Sequence, residues 1–383
     1  MFEKIKIRIS NFIDLISLGS ANLTVIGFSG IFWLYIAPIL GKESYGEVNY
    51  YIALAGIGLS VSSLGLNNLM TVLTAKGIKI QHVIYLIGLI SSSTTAVILF
   101  ILVSNFNVSL FVIGAVIFTF SCSELLGLKL YKKYSKIIIL QRALAVIFAI
   151  SLYYIIGPNG IIMGFALSFF PLSFRFYRFM ADFKIEFTAI KPHVGFMMSS
   201  YGLELTRTLN WSIDKILIFP MFGFEILGTY QLGIQFLSIL VILPGTMYNY
   251  LLPRDSTGVS HKKLKIISII TSILLAVIMI LVSPFIIRQF FPNFIDSILA
   301  AQIMSIAIVP LTINTLFASK LLGIEKSKIV FTASIIYLTT LLSSIIMLGN
   351  YYGLYGLAMS PVISAIIETI FYVIIQFRSK LIK

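Results

Sequence analysis

The sequence predicts an all-α membrane protein of about twelve transmembrane helices, and three observations carry that expectation. Apolar residues make up 58% of the 383-residue chain and charged residues 11%, whereas a soluble domain carries about 25% charge to keep its surface wet. Apolar runs of about 20 residues recur from end to end, each long enough to cross a hydrocarbon core about 30 Å thick. Numbering the intervening loops alternately then sorts nearly all basic residues to one side. The net charge of +14 is therefore a topological signal and not the footprint of a nucleic-acid surface.

Hydropathy places the spans near residues 16–40, 46–73, 82–104, 107–128, 137–157, 160–180, 195–220, 226–252, 267–288, 297–319, 329–349 and 353–376. Lys4, Lys6 and Arg8 precede the first span. No small-residue cleavage site follows it, so it reads as a retained helix and not as a signal peptide. Lys76 and Lys79 separate spans 2 and 3, and Lys129, Lys132, Lys133 and Lys136 separate spans 4 and 5, with Arg142 at the edge of span 5. Arg175, Arg178, Lys184 and Lys191 come before span 7; Arg254, Lys262, Lys263 and Lys265 come before span 9. Lys320, Lys326 and Lys328 precede span 11, and Arg378, Lys380 and Lys383 follow span 12. The opposite side receives only Lys42 and Arg288. The positive-inside rule makes the crowded side the cytoplasm and puts both termini there.

The stretch "PILGKESYG" at Pro38–Gly46 is answered by "PMFGFEILG" at Pro220–Gly228, an offset of 182 residues. Pro38, Gly41, Glu43 and Gly46 meet Pro220, Gly223, Glu225 and Gly228. These residue types are scarce in so apolar a chain. A long fixed offset signals a duplicated unit. Six spans per copy give both copies the same orientation, the parallel repeat found in some secondary transporters. The motif residues read as structural hairpins: proline ends a span, glycine turns the chain, and the carboxylate suits the N-terminal end of the next helix. The expected division is an N-terminal six-helix bundle at 1–181, a cytoplasmic amphipathic linker at 182–193 and a C-terminal six-helix bundle at 194–383.

Ionisable residues inside a span default to function, and span 7 carries the densest set. In "SYGLELTRTLNWSIDK", Ser200, Glu204, Arg207, Trp211 and Asp214 recur at spacings of 4, 3, 4 and 3, one helical face, with Thr208 and Lys215 flanking it and Asn210 a further polar candidate in the same span. Two readings stay open. The stripe lines a transport cavity, or Glu204 pairs internally with Arg207 or Thr208 and holds helices together. Asn22 falls opposite Glu204 under the 182 shift, and Arg142 is a further intramembrane cation. Asp14, Glu124 and Glu368 lie within about two turns of cytoplasmic ends and read as interfacial or interhelical partners. Arg254 and Asp255 read as solvated. Gly160 and Gly164 form a small-xxx-small pattern suited to close helix packing.

Covalent chemistry finds no motif: no P-loop, HExxH or GxSxG, and one cysteine, Cys122. Catalytic residues, metal ligands and cofactors are all expected to be absent. Loops on the outer side are short, which argues against a glycan-processing enzyme.

"IDKILIFPMFGFEILGTYQLG" at Ile213–Gly233 resembles the span-7 signature of polysaccharide flippases, an acidic-basic pair before an apolar run and a G-x-E-x-x-G-x-Y turn. "YIAPILGKESYGEVNYYIAL" resembles the matching span-1 signature. The family is the O-antigen flippase (polysaccharide-export) branch of the multidrug/oligosaccharidyl-lipid/polysaccharide (MOP) superfamily. This resemblance implies a MATE-like MOP fold in the cytoplasmic (inner) membrane of a prokaryote and a role in lipopolysaccharide or other surface-glycan assembly. The implied partners are an isoprenoid-pyrophosphate-linked glycan, the lipid bilayer and other glycan-assembly membrane proteins. It also implies a cationic cavity for the anionic head group, a carry-over that rests on Asp214 and Lys215 matching the signature; helical phase adds Arg207, Arg142 is a further basic candidate beside Lys215, and Asp214 or Glu204 is the candidate for a coupling ion, Na+ or H+. The alternative is a cation-coupled small-molecule exporter of the same fold; a membrane-embedded glycan-processing enzyme is the third reading. As a test of the topology, a fluorescent protein fused after Lys383 should fluoresce, whereas alkaline phosphatase fused after Arg288 should be active; the reverse pattern would invert the sidedness.

Overall fold

The computed structural model describes residues 2–173, 176, 190–255, 262–324 and 326–381; for residues 2–18, 22, 23, 172, 249, 252–254 and 377–381 it describes the backbone only. Eleven α-helices run through the described residues: α1 Phe2–Ser63, α2 Leu66–Ala75, α3 Gln81–Val103, α4 Phe106–Gly127, α5 Tyr131–Ile156, α6 Pro158–Phe169, α7 Val194–Asp255, α8 Lys262–Phe290, α9 Ser297–Ser305, α10 Ile308–Gly323 and α11 Ser327–Leu381. No strand interrupts them among the described residues. A bilayer has no water for a free N–H or C=O, so a chain that must cross it repeatedly has the helix as its open-ended solution.

The three longest elements are not single rods. α1 breaks at Gly41 (φ 72°, ψ 174°), α7 at Gly223 (φ 82°, ψ 174°) and α11 at Gly353 (φ 56°, ψ −134°). The first two fall in a backbone region that only glycine occupies without strain. The chain reverses there. Trp33 and Tyr45, on either side of Gly41, bring their rings to 5.9 Å, although twelve helical residues would span about 18 Å. Among the described residues, eight apolar segments are long enough to cross a membrane. Three of them fold at these glycines, which makes eleven legs, and the shorter apolar helix α6 is the twelfth. The chain is a multi-pass all-α membrane protein.

Two boundaries differ from the sequence expectation. Span 6 was expected as one helix over 160–180, but α6 ends at Phe169 and passes into a 3-10 turn at Phe170–Leu172. Pro171 explains it, because its ring supplies no N–H and clashes with the preceding turn. Span 2 is interrupted at Leu64 and Gly65, both with positive φ, before α2 begins. Most of the expected linker, 182–189, lies outside the described residues. Its end forms a 3-10 turn at Lys191–His193.

The chain forms two compact units. The first contains Met1–Phe32 and Tyr51–Thr208, and the second Trp33–Tyr50 and Leu209–Lys383. Against the expected halves 1–181 and 194–383, the hairpin tip Trp33–Tyr50 therefore clusters with the second, and Val194–Thr208 with the first. The first unit buries Leu66, Leu69, Met70, Leu73, Ile84, Val116 and Phe120 of α2, α3 and α4 in one apolar cluster. In the same unit α5 and α6 touch through backbone: a Cβ on Gly160 would overlap Leu152 O, and one on Gly164 would stand 2.6 Å from Ala149 Cα. Between helices already surrounded by lipid, such close approach takes the place of hydrophobic drive. The core of the second unit gathers Ile218, Leu227, Tyr230, Met304, Leu341, Ile345 and Leu357. The outside stays apolar: Ile266, Ile270, Leu274, Leu281 and Phe285 form one exposed face of α8. A soluble protein rarely shows a continuous patch of that kind.

Asp255 corrects the reading that it is solvated. Its carboxylate accepts from Lys265 Nζ at 2.8 Å and from Ser319 Oγ at 2.8 Å, pinning the end of α7 to α8 and α10.

Gly223→Ala should cost about 1–3 kcal/mol, because alanine must adopt a glycine-only conformation. Gly56→Ala, whose added Cβ meets nothing within 4 Å, serves as the control. Thermal unfolding in detergent should show a lower midpoint for the first variant alone.

Candidate functional site

The reversal at Gly223 positions the densest polar site of the second unit. Asp214 lies on the incoming leg of α7 and Tyr230 on the outgoing leg, and the Tyr230 hydroxyl donates to Asp214 Oδ2 at 3.0 Å. In an unbroken helix those sixteen residues would be about 24 Å apart. Lys215 completes the group. Consecutive helical side chains diverge by about 100°, yet the lysine stem bends back so that Nζ donates to Asp214 Oδ1 at 3.1 Å and to Trp211 O at 2.8 Å. The Lys215 backbone N–H adds a bond to Asp214 Oδ1 at 2.9 Å. Both residues are nearly excluded from solvent, 5% exposed for Asp214 and 9% for Lys215. A carboxylate at that depth requires a partner and several donors, and Asp214 has them.

A cavity of about 160 Å3 opens beside this pair, with Asn210, Trp211, Tyr230, Tyr337 and Glu368 among its walls and Ile234, Leu237, Leu311, Leu341 and Pro361 as its apolar lining. Glu368 belongs to α11 and is held by its neighbours: Asn314 Nδ2 on α10 donates to Glu368 Oε2 at 2.8 Å and to Ala365 O at 3.0 Å. Thr369 Oγ1 donates to Asn314 Oδ1 at 2.6 Å, which fixes the orientation of that amide. No basic side chain lies within ion-pair distance of Glu368 among the described residues. The Asp214–Lys215 pair is internally neutral, so Glu368 leaves the walls with one negative charge in excess when ionised. Asn210 adds a buried Oδ1 without a hydrogen-bond partner. The site is therefore an apolar, aromatic pocket with the Glu368 carboxylate and the Asn210 amide among its lining residues, a chemistry that suits a small cation. Its volume is below the range of about 300–1,000 Å3 that drug-sized ligands occupy.

The remaining residues singled out in the sequence fall elsewhere. Glu204 and Arg207 belong to the first unit. Ser63, Asn67 and Arg207 approach the Glu204 carboxyl, whose Oε2 is buried without a hydrogen-bond partner. Arg207 itself is exposed. Arg142, in α5, is half-buried with an unpartnered Nε. Asn22 is helical, and its side chain lies outside the described residues. Thus Asn210, Asp214 and Lys215 come together at one cavity. The sequence reading did not single out Asn314 or Tyr337, took Tyr230 only as part of the hairpin signature, and named Glu368 as an interfacial or interhelical partner, which its bond to Asn314 on α10 makes it. Asn314 and Glu368 were detectable as polar residues inside apolar runs, but only their mutual contact marks them as a pair. Glu124, by contrast, is an interhelical partner as expected, accepting from Tyr85 at 3.1 Å.

No protein-family model and no curated protein match the sequence. Solved structures do match the fold. The lipid II flippase MurJ in an inward closed conformation aligns with a TM-score of 0.74 at 14% identity, covering 95% of this chain and 87% of that one. A multidrug resistance MATE family transporter of the MOP superfamily aligns in its inward-facing conformation with a TM-score of 0.65 at 14% identity, over 94% of this chain and 97% of that one. In its outward-facing conformation the score is 0.59 at 15% identity, over 95% and 93%. The chain has the fold these proteins share.

Asp214→Asn leaves the Lys215 ammonium buried without its counter-charge and should cost about 3–5 kcal/mol. Adding Lys215→Met should recover most of that loss. Unfolding midpoints of the two single variants and the double variant measure the coupling, and additive losses would show that the pair is not one electrostatic unit.

Proposed function

We propose that this protein translocates a lipid-linked oligosaccharide or polysaccharide precursor across a prokaryotic cytoplasmic membrane, working by alternating access between the halves 1–181 and 194–383. The observation that carries the reading is the likeness over 95% of the chain to a structure named as a lipid II flippase, joined to the flippase-like signature at Ile213–Gly233. A hydrophilic head group cannot enter hydrocarbon unaided, since each unpaired polar group costs several kcal/mol. A polar path through the protein removes that cost while the lipid tail stays in the bilayer. Arg207 and Arg142 are the proposed contacts for the anionic head group. Glu368 is the proposed carrier of a coupling ion, Na+ or H+, because the cavity it shares with the Asp214–Lys215 pair has ionic and not glycan dimensions. The chain is then a transporter and not an enzyme, with both termini in the cytoplasm.

The cavity itself favours one second reading, a cation-coupled exporter of small molecules. Its carboxylate lies among Trp211, Tyr230 and Tyr337, and aromatic faces attract organic cations.

In cells relying on this gene for surface glycan, Arg207→Ala should impair display without lowering the protein level. Undiminished display would remove Arg207 from the path. Reconstituted vesicles separate the two readings: a fluorescent lipid-linked oligosaccharide should change leaflet, and movement of a lipophilic cation alone would establish the exporter.

A further inference from the structure

A second, smaller cleft of about 70 Å3 lies in the second unit where α10 ends and α11 both begins and ends. Three pieces of chain build it. Phe317, Lys320, Leu321 and Ile324 follow one face of α10. Tyr372, Ile375 and Gln376 follow one face of α11 near its end. Lys326, in the turn between the two helices, and Ile329, on the first turn of α11, complete the lining. Phe317 and Tyr372 join two of these pieces, their rings stacked at 5.5 Å and 11°. The turn is held by its own backbone, the Lys326 N–H donating to Leu321 O at 2.8 Å. Most of the lining is apolar or aromatic, whereas Lys320 and Lys326 are exposed. Neither lysine is ion-paired among the described residues.

Position and charge identify what such a cleft can take. The apolar segments Ser297–Gly323 and Ser327–Gln376 stop here, so a group bound beside their ends sits at the depth of lipid head groups. The local charge is one-sided. Lys320, Lys326 and Lys328 stand against Glu325 alone, and Arg378, Lys380 and Lys383 follow Gln376. We propose that this cleft binds an anionic phospholipid, with its phosphate held between Lys320 and Lys326 and its chains starting along Leu321, Ile324, Ile329 and Ile375. Basic pockets between transmembrane helices take head groups of this kind. The volume is far below the lower bound of about 300 Å3 for a drug-sized ligand; it admits a phosphate group and no glycan. An acidic protein segment would answer the lysines but set polar backbone against four aliphatic side chains. A lipid answers both in one molecule. Once bound, it ties the α10–α11 turn to the end of α11 and braces the second unit, whatever the protein transports.

The test uses the full-length protein in detergent with dioleoylphosphatidylglycerol, dioleoylphosphatidylcholine or inorganic phosphate added. Native mass spectrometry should show phosphatidylglycerol retained in preference to phosphatidylcholine, and thermal unfolding should show a higher midpoint with the anionic lipid. Lys320→Gln combined with Lys326→Gln should weaken that retention about 30-fold, about five-fold for each lysine, and leave the lipid-free midpoint unchanged. Lys320→Arg combined with Lys326→Arg should keep the lipid. Equal retention of the two lipids, or undiminished retention by the glutamine variant, would overturn the proposal. So would an equal loss in Lys262→Gln combined with Lys263→Gln, two exposed lysines of α8, because it would mark diffuse surface charge. A midpoint raised as much by inorganic phosphate as by phosphatidylglycerol would mark a free-anion site and overturn the lipid assignment.

Discussion

Backbone touching backbone at Gly46 and Gly228 is the contact on which the second unit is organised. It exists because two residues without side chains stand at equivalent places in a duplicated motif. Much of the unit follows from it. The same motif carries the glycines whose positive φ reverses α1 and α7, and the α7 reversal in turn carries Tyr230 back to Asp214. A hairpin in hydrocarbon has little choice of means. Loops cannot be solvated there, so the turn must be made in very few residues whose remaining polar groups stay within helices.

Electrostatics in the second unit divides its acids into two kinds. Asp214 is saturated by the Lys215 ammonium, the Lys215 N–H and the Tyr230 hydroxyl. Glu368 has the Asn314 amide for support and faces the same cavity. A saturated buried pair is a structural unit, expensive to break and of limited use as a binding group. A carboxylate with one neutral donor and an open side is a group that can still take a cation. The position weighed as an interhelical contact in the sequence is thus also the one with spare capacity.

Span 7 illustrates why a helical face is not a site. Glu204, Arg207, Trp211 and Asp214 do share a face by periodicity. The compact units nevertheless part at Thr208 and Leu209, so Glu204 is surrounded by Ser63, Asn67 and Arg207, whereas Asp214 is enclosed by Lys215, Tyr230 and the cavity wall. Periodicity gives the direction of a side chain from its own axis. It says nothing of which neighbour fills that direction at each turn. The same limit hid the pairing of Asn314 with Glu368, which lie on different helices and become a pair only when α10 packs against α11.

The sequence by itself determined the helical class, the approximate spans, the hairpin positions at Pro38–Gly46 and Pro220–Gly228, and the place where Gly160 and Gly164 allow close packing. Those features depend on local hydropathy, on φ and on residue volume, all properties of short stretches. Tertiary structure alone decided that the two hairpins rest on each other, that Lys42 reaches Asp296, that Asp255 is pinned rather than solvated, and that Glu368 joins Asp214 at one cavity. Each of these is a meeting of residues tens to hundreds of positions apart, and the burial that gives a charge its energetic weight is created only when the helices pack.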